Sequence, residues 1–226
     1  EVLHTFGTVV RVGIDPEPNP FSQLIRADAR RPPFADRTFD LAVAHPQCQR
    51  FSRSTAGTGD PDAHPNEIPE ARAVCQRIAD HYIIENVPRA PLNNPAVLNG
   101  RMFGMPIEYE RAFETSFKVP QPPREKQLLT TDGASDKAET SSFFFSERSR
   151  EWWAAVKNYP PGPYPKSHLA KNAIPAPYIY YLVRLWLMVY EDEQGISEGR
   201  VDYSDYDERM DTKRKSEDNR QLDEFR

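Results

Sequence analysis

The sequence predicts an α/β fold, a doubly wound and mainly parallel sheet, on three observations. Short β-branched or apolar runs recur through the first 90 residues, each closed by a turn residue or a proline. A stretch of helical composition separates two of these runs, as a parallel crossover requires. The runs are apolar enough to be covered on both faces, the habit of strands inside a parallel sheet.

Thr8 to Ile14 (TVVRVGI) runs into Asp15-Pro16 and reads as a buried strand ending in a turn. Leu24 to Ala27 is a second, shorter strand, closed by Asp28. Phe39 to Ala44 (FDLAVA) is a third, stopped at His45-Pro46 because proline has no N–H to continue a ladder. Ser52 to Asn66 is polar and contains glycine, so a loop is expected there. Pro69 to Asp80 places Ala71, Val74, Cys75 and Ile78 on one helical face. Tyr82 to Ile84 is the next strand and leads into Glu85-Asn86-Val87-Pro88. Beyond it, the Gly100 and Gly104 turns suggest a hairpin pair. Gln121 to Ser149 is rich in proline, serine and threonine around Phe143 to Phe145; Trp152 to Tyr159 reads as a short helix. A last helix begins at about Pro177, with proline near its first turn, and runs to Tyr190. No internal repeat is apparent.

At 226 residues, with 38% hydrophobic content, 22 prolines and 10 glycines, the chain reads as a soluble, loop-rich globular protein. Its strongest apolar stretch, Tyr178 to Tyr190, is interrupted by Arg184 and falls short of the roughly 20 residues of a membrane span. Nothing at the N-terminus reads as a signal peptide. Two cysteines, Cys48 and Cys75, are too few for a disulfide framework and fit a reducing cytoplasm. The net charge of −5 is unevenly spread: residues 191–226 carry 7 Lys+Arg against 13 Asp+Glu, and the other 190 residues carry 22 against 21. So acidic a tail, poor in aliphatic residues, is expected to be disordered. Lys118 to Lys171 is locally basic, 9 against 6, which permits phosphate contact.

Open α/β sheets bind ligands just beyond the carboxyl ends of their strands. Asp15, Asp28, Cys48 and Glu85 all fall at or shortly after strand ends, so reactive side chains gather at one sheet edge. Each also has an ordinary reading. A cysteine after a strand is commonly a small buried hydrophobe, aspartates close turns, and Glu85 could cap one. His45 and Cys48 lack a second ligand pair at metal-binding spacing, so no metal is expected.

Four segments nonetheless occur in an informative order: DLAVAHPQCQRFS (Asp40 to Ser52), YIIENVPRAPL (Tyr82 to Leu92), FETSF preceded by Arg111, and LAKNAIPAPYIYYL in the last helical stretch. In order and spacing, across roughly residues 9 to 185, they resemble the Pro-Cys-Gln, Glu-Asn-Val, Arg-x-Phe-Glu-Thr and Gly-Asn-Ala-Val-Pro motifs of the DNA cytosine-5 methyltransferases. The resemblance implies a Rossmann-like methyltransferase sheet (residues 1–117 and 166–190), a small target-recognition insert (118–165) and a tail (191–226). It also implies DNA as partner and S-adenosylmethionine as cofactor. Cys48 would be the nucleophile adding to C6 of cytosine, Glu85 the acid at its N3/N4 edge, and Arg111 a group orienting the base or restraining the thiolate. The target base would be flipped out of the duplex. Asp15, Pro16, Asp28, Pro46 and Asn172 match the cofactor contacts. A low thiol pKa needs a positive neighbour, for which Arg50, Arg53 and Arg111 are the candidates.

The chain departs from the family pattern in several places. Pro46-Gln47-Cys48-Gln49 replaces Pro-Pro-Cys-Gln, Tyr109 stands where the first of two arginines is expected, and Lys171-Asn172 replaces Gly-Asn. The Phe-x-Gly-x-Gly-Gly loop that cradles the cofactor's methionine is not found. The expectation is thus an N-terminally shortened relative, either an enzyme fragment or a degenerate, non-catalytic binder of DNA or of a partner. Similar cysteine chemistry on RNA is a third expectation.

Overall fold

A computed structural model describes residues 2–15, 20, 22–123, 148–159 and 164–196. The chain divides into two compact units, Glu1–Trp186 and Leu187–Arg226. The first holds a mixed α/β arrangement with a four-stranded mixed sheet and a smaller two-stranded one.

In the small sheet, β1 (Val10–Gly13) and β2 (Gln23–Arg26) are parallel, with Val10 opposite Gln23 and Gly13 opposite Arg26. Both strands are short, and neither contains a fully buried residue. The large sheet runs in the order β3-β4-β6-β5. Strand β3 (Phe39–Ala44) lies parallel to β4 (Ala79–Asn86) in a register that pairs Ala44 with Ile84. Their crossover carries α1 (Arg53–Thr58) and α2 (Ile68–Ile78). Strands β5 (Ala96–Leu98) and β6 (Arg111–Thr115) form the expected hairpin, and β6 pairs antiparallel with β4. The sheet is therefore mixed rather than mainly parallel, because a hairpin returns the chain next to β4 where a second crossover would have kept the direction.

The helical periodicity of 68–78 buries Ile68, Cys75 and Ile78. Cys75 and Ile78 pack with Ala42, Ala79 and Ile84 on one sheet face, and Phe34 and Phe39 meet edge to face at the border of that cluster. On the opposite face, the Phe113 ring meets the edge of Tyr178 from α5 (Ala176–Glu193). Ile83 and Ile84, adjacent on β4 and so facing opposite ways, are both fully buried. Burial of each side chain is worth roughly 2–3 kcal/mol, which makes β4 the axis of the core.

Two short helices add to the expected elements. Ser52 accepts the Thr55 N–H and caps α1, inside the expected loop 52–66. Lys166–Lys171 forms α4 ahead of the closing helix, whose start at Ala176 is one residue earlier than expected. Between them in the sequence lie the hairpin glycines and α3 (Arg150–Val156), capped by Ser149. Gly100 admits no side chain, since a Cβ there would lie 2.0 Å from the Ile107 carbonyl oxygen. Gly104 adopts φ +68°, the left-handed conformation that glycine tolerates best. The Phe143 to Phe145 run, most of the expected insert and the 197–226 part of the expected tail lie outside the described residues.

Candidate active site

The parallel register of β3 and β4 determines what meets at the carboxyl end of the large sheet. Ala44 pairs with Ile84, so one more residue on each strand brings His45 beside Glu85. His45 Nδ1 lies 3.2 Å from Glu85 Oε2. One residue further, fully buried Asn86 donates from Nδ2 to the Pro46 carbonyl at 3.1 Å, while its Oδ1 accepts the Val87 N–H at 2.9 Å. The Asn of the Glu-Asn-Val segment thereby ties the end of β4 to the loop that carries the cysteine.

Cys48 opens a 3-10 turn, Gln49–Phe51, with φ −97° and ψ −5°, and its carbonyl accepts the Phe51 N–H at 3.0 Å. That backbone lies in the sparsely allowed bridge region where active-site residues are often found. Cys48 is partly buried and carries a free thiol; Cys75 is free too, deep in the helix core, where burial pushes its thiol up to about 11.

Arg111, at the start of β6, is the third member. Its Nε lies 3.3 Å from Glu85 Oε1 as an ion pair, but the N–H and the lone pair are not aligned into a hydrogen bond. Its Nη2 donates to the Tyr109 hydroxyl at 2.7 Å and to the Lys171 carbonyl at 3.0 Å. Burial works against the Arg111 charge, yet Tyr109, Glu85 and Cys48 act in its favour, and its pKa is raised. Cys48, Glu85 and Arg111, expected from three separate segments, are thus brought into one electrostatic cluster. Of the other arginines considered for the thiol, Arg50 is occupied by Asp62 at 2.8 Å and the His64 carbonyl at 2.9 Å. The side chain of Arg53 lies outside the described residues.

Three supporting residues were not foreseen as part of the site. Tyr109 has φ +20°, and its hydroxyl donates to the Lys171 carbonyl at 2.7 Å. Burial pushes that phenol up, with Arg111 pulling the other way. Lys157, fully buried at the end of α3, donates to the Ala170 carbonyl at 3.1 Å and to Ala173 at 2.7 Å. Its Nζ also sits 3.4 Å from the centroid of the Tyr109 ring. Burial, and then the Arg111 charge, pull its ammonium down to about 6. His45 had a signal in the sequence, its place one residue beyond β3, and Tyr109 had one in standing where an arginine was expected; Lys157 had none, since its role depends on where α3 and α4 dock.

The expected cofactor residues are spread more widely. Asp15 is exposed just past β1, and Pro16 lies outside the described residues. Asp28, just past β2, is engaged by its own neighbour: Oδ1 accepts the Arg30 backbone N–H at 2.9 Å and Nε at 3.0 Å, and Oδ2 accepts Nη2 at 2.8 Å. Those bonds hold its carboxyl down at about 2. A cleft of about 470 Å³ is lined by Asp28, Arg30, Arg31 and Glu70. Asn172 is exposed and ends α4, one residue beyond the carbonyl that Arg111 and Tyr109 share. Pro46 is in the cysteine loop, held by Asn86. Among the described residues, no group of three or more His, Cys, Asp or Glu is arranged to hold a metal ion, and no helix is long and apolar enough to cross a membrane.

No family model matches this chain, and no curated protein matches it significantly.

Proposed function

We propose that this chain carries the catalytic residues of a DNA cytosine-5 methyltransferase, on a Rossmann-like sheet. The observation that carries the reading is the convergence of Cys48, Glu85 and Arg111, each from its own motif, at the carboxyl end of the parallel pair β3–β4. That is the edge where α/β sheets place ligands.

The chemistry follows from the side chains. C5 of cytosine is a poor nucleophile in the intact aromatic ring. The Cys48 thiolate forms a bond to C6, and proton donation from Glu85 at N3 stabilises the charge that develops, leaving C5 enamine-like. Arg111 keeps positive charge beside both groups and holds Glu85 in place. Once C5 has been methylated it loses its proton, the Sγ–C6 bond breaks and the thiolate is restored. Bound S-adenosylmethionine would supply the electrophilic methyl group. Asp15, exposed at its strand end, is suited to accept hydrogen bonds from ribose hydroxyls. Asp28 fits an adenine amino group only once Arg30 releases it. Pro46, two residues before Cys48, and Asn172, at the end of α4, are the remaining candidates for cofactor contact.

The test is a duplex containing 5-fluorocytosine, incubated with the chain and S-adenosylmethionine. Fluorine at C5 blocks the release step, so a denaturation-resistant adduct is expected, and peptide mapping should place it on Cys48. No adduct, or one retained in Cys48→Ser, would sink the reading. The Asp28–Arg30 pairing favours one alternative, a non-catalytic relative that binds DNA or a protein partner; DNA binding without cofactor binding would support it. Competition between DNA and RNA decides the nucleic acid.

A further inference from the structure

Among the described residues Arg111 has three partners: the Glu85 carboxylate, the Tyr109 hydroxyl and the Lys171 carbonyl. The two neutral ones are themselves held by a single side chain. Lys157 Nζ bonds the carbonyls of Ala170 and Ala173, which bracket Lys171 in the sequence, and it lies against the face of the Tyr109 ring. Two of its N–H groups go to the two carbonyls, and the nitrogen packs against the π face of Tyr109. The carbonyls come from the last turn of α4 and the bend just after it, where backbone oxygens otherwise lack partners. Among the described residues Lys157 makes no ion pair with a carboxylate, although a buried lysine ordinarily needs one. Its placement therefore costs free energy that the local contacts offset, and they converge on the groups that orient Arg111. Either protonation state donates to both carbonyls; the ammonium alone also presents an N–H to the ring.

We propose that Lys157 is a positioning residue that keeps Arg111 aligned with Glu85 and Cys48, by clamping the 170–173 carbonyls and the Tyr109 ring from α3. The proposal rests on the reading of Cys48, Glu85 and Arg111 as one site. It adds that α3 and α4 set the geometry of that site from outside the sheet.

The experiment follows iodoacetamide alkylation of Cys48 against pH in the full chain, with peptide mass spectrometry to separate it from buried Cys75. Lys157→Met, Lys157→Gln, Arg111→Gln and the double variant Lys157→Met/Arg111→Gln are compared with the native chain. A displaced Arg111 stabilises the thiolate less, so Lys157→Met is expected to raise the alkylation midpoint by about one pH unit, as loss of a nearby opposite charge does. Arg111→Gln should shift it the same way, and the double variant should shift it no further. Lys157→Gln keeps an N–H donor and should give a smaller rise; it decides the matter if the methionine variant does not fold. An unchanged midpoint in a folded Lys157 variant overturns the proposal. So does a double variant in which the two shifts add, since Lys157 would then act without Arg111. Absence of methyl transfer in the native chain counts against the proposed function alone, because the alkylation midpoints do not depend on it.

Discussion

On one face of the four-stranded sheet Glu114 lies with Arg72 and Cys75; on the other, Glu85 lies with Arg111 and Cys48. The alternation of β4 and β6, which pairs Ile84 with Glu114 and Glu85 with Phe113, separates the two trios. Glu114 has its bonding capacity filled: Arg72 grips both oxygens at 2.6 and 2.7 Å, the Asn93 N–H adds a bond at 2.7 Å, and the Tyr82 hydroxyl adds one at 3.3 Å. Burial opposes its ionisation, but those bonds outweigh burial and lower its pKa. Glu85 is nearly as buried yet has one long contact to His45 and an unaligned ion pair to Arg111. The cysteines differ in the same sense, since Cys75 is sealed in the core and Cys48 is partly open. The same three residue types make a lock on one face and an under-bonded cluster on the other. Spare bonding capacity is what a reacting ligand needs, and a structural ion pair has none left.

The contrast can be broken most severely at the cysteine. If the proposed function holds, Cys48→Ala should lower methyl transfer by on the order of 10⁴-fold or more, as loss of a nucleophile does, while the thermal midpoint moves by no more than about 2 °C. A comparable loss in Cys75→Ala would erase the distinction. Next come the carboxylates. Glu114→Ala strands Arg72 and should cost about 3–5 kcal/mol in urea unfolding. Glu85→Gln removes one charge partner of buried Arg111, which keeps Tyr109 and the Lys171 carbonyl, and should cost about 1.5–3 kcal/mol, the worth of a bond to a charged group, yet, on the proposed reading, reduce activity roughly 10²–10⁴-fold. Equal stability losses at the two sites would show that Glu85 is a lock as well.

A smaller effect sharpens the comparison through pH. The folded Cys75 thiol sits at about 11 against an ordinary 9.0. From about pH 9 to 11 the folded chain therefore keeps a proton that the unfolded chain releases. Its contribution is full below pH 9 and is lost as pH rises through 11, a change of about 3 kcal/mol. Urea titrations at pH 8.5 and 10.5 should show this slope in the native chain and a shallower one in Cys75→Ala. The mildest change is His45→Ala, expected, on the proposed reading, to lower activity by less than Glu85→Gln does, since it acts only through Glu85 orientation, with less than about 0.5 kcal/mol lost, since His45 is half exposed.

Much of the fold was legible because its signals are local. The apolar run 39–44 coincides with β3, and the helical face of Ala71, Val74, Cys75 and Ile78 lies within α2. The glycine turns produced the hairpin, where one glycine has no room for a Cβ and the other needs positive φ. The direction of β6 was not legible, because strand polarity depends on how the chain returns to the sheet. The α1 cap at Ser52 was missed for a different reason: its signal is a single serine side chain accepting the Thr55 N–H inside a polar loop.

For the site, the sequence by itself singled out Cys48, Glu85 and Arg111 as candidates, since thiol, carboxylate and guanidinium chemistry belongs to these side chains wherever they lie, and the segments around them set them apart from the other residues of those types. It also placed Cys48 and Glu85 just past or at strand ends. Only the tertiary structure decided what surrounds them: the register that sets His45 on Glu85, the buried lysine that clamps Tyr109 and the α4 carbonyls, and the Arg30 grip on Asp28. Chemistry is a property of each side chain, whereas pairing, burial and spare bonding capacity depend on neighbours that are far away in the chain.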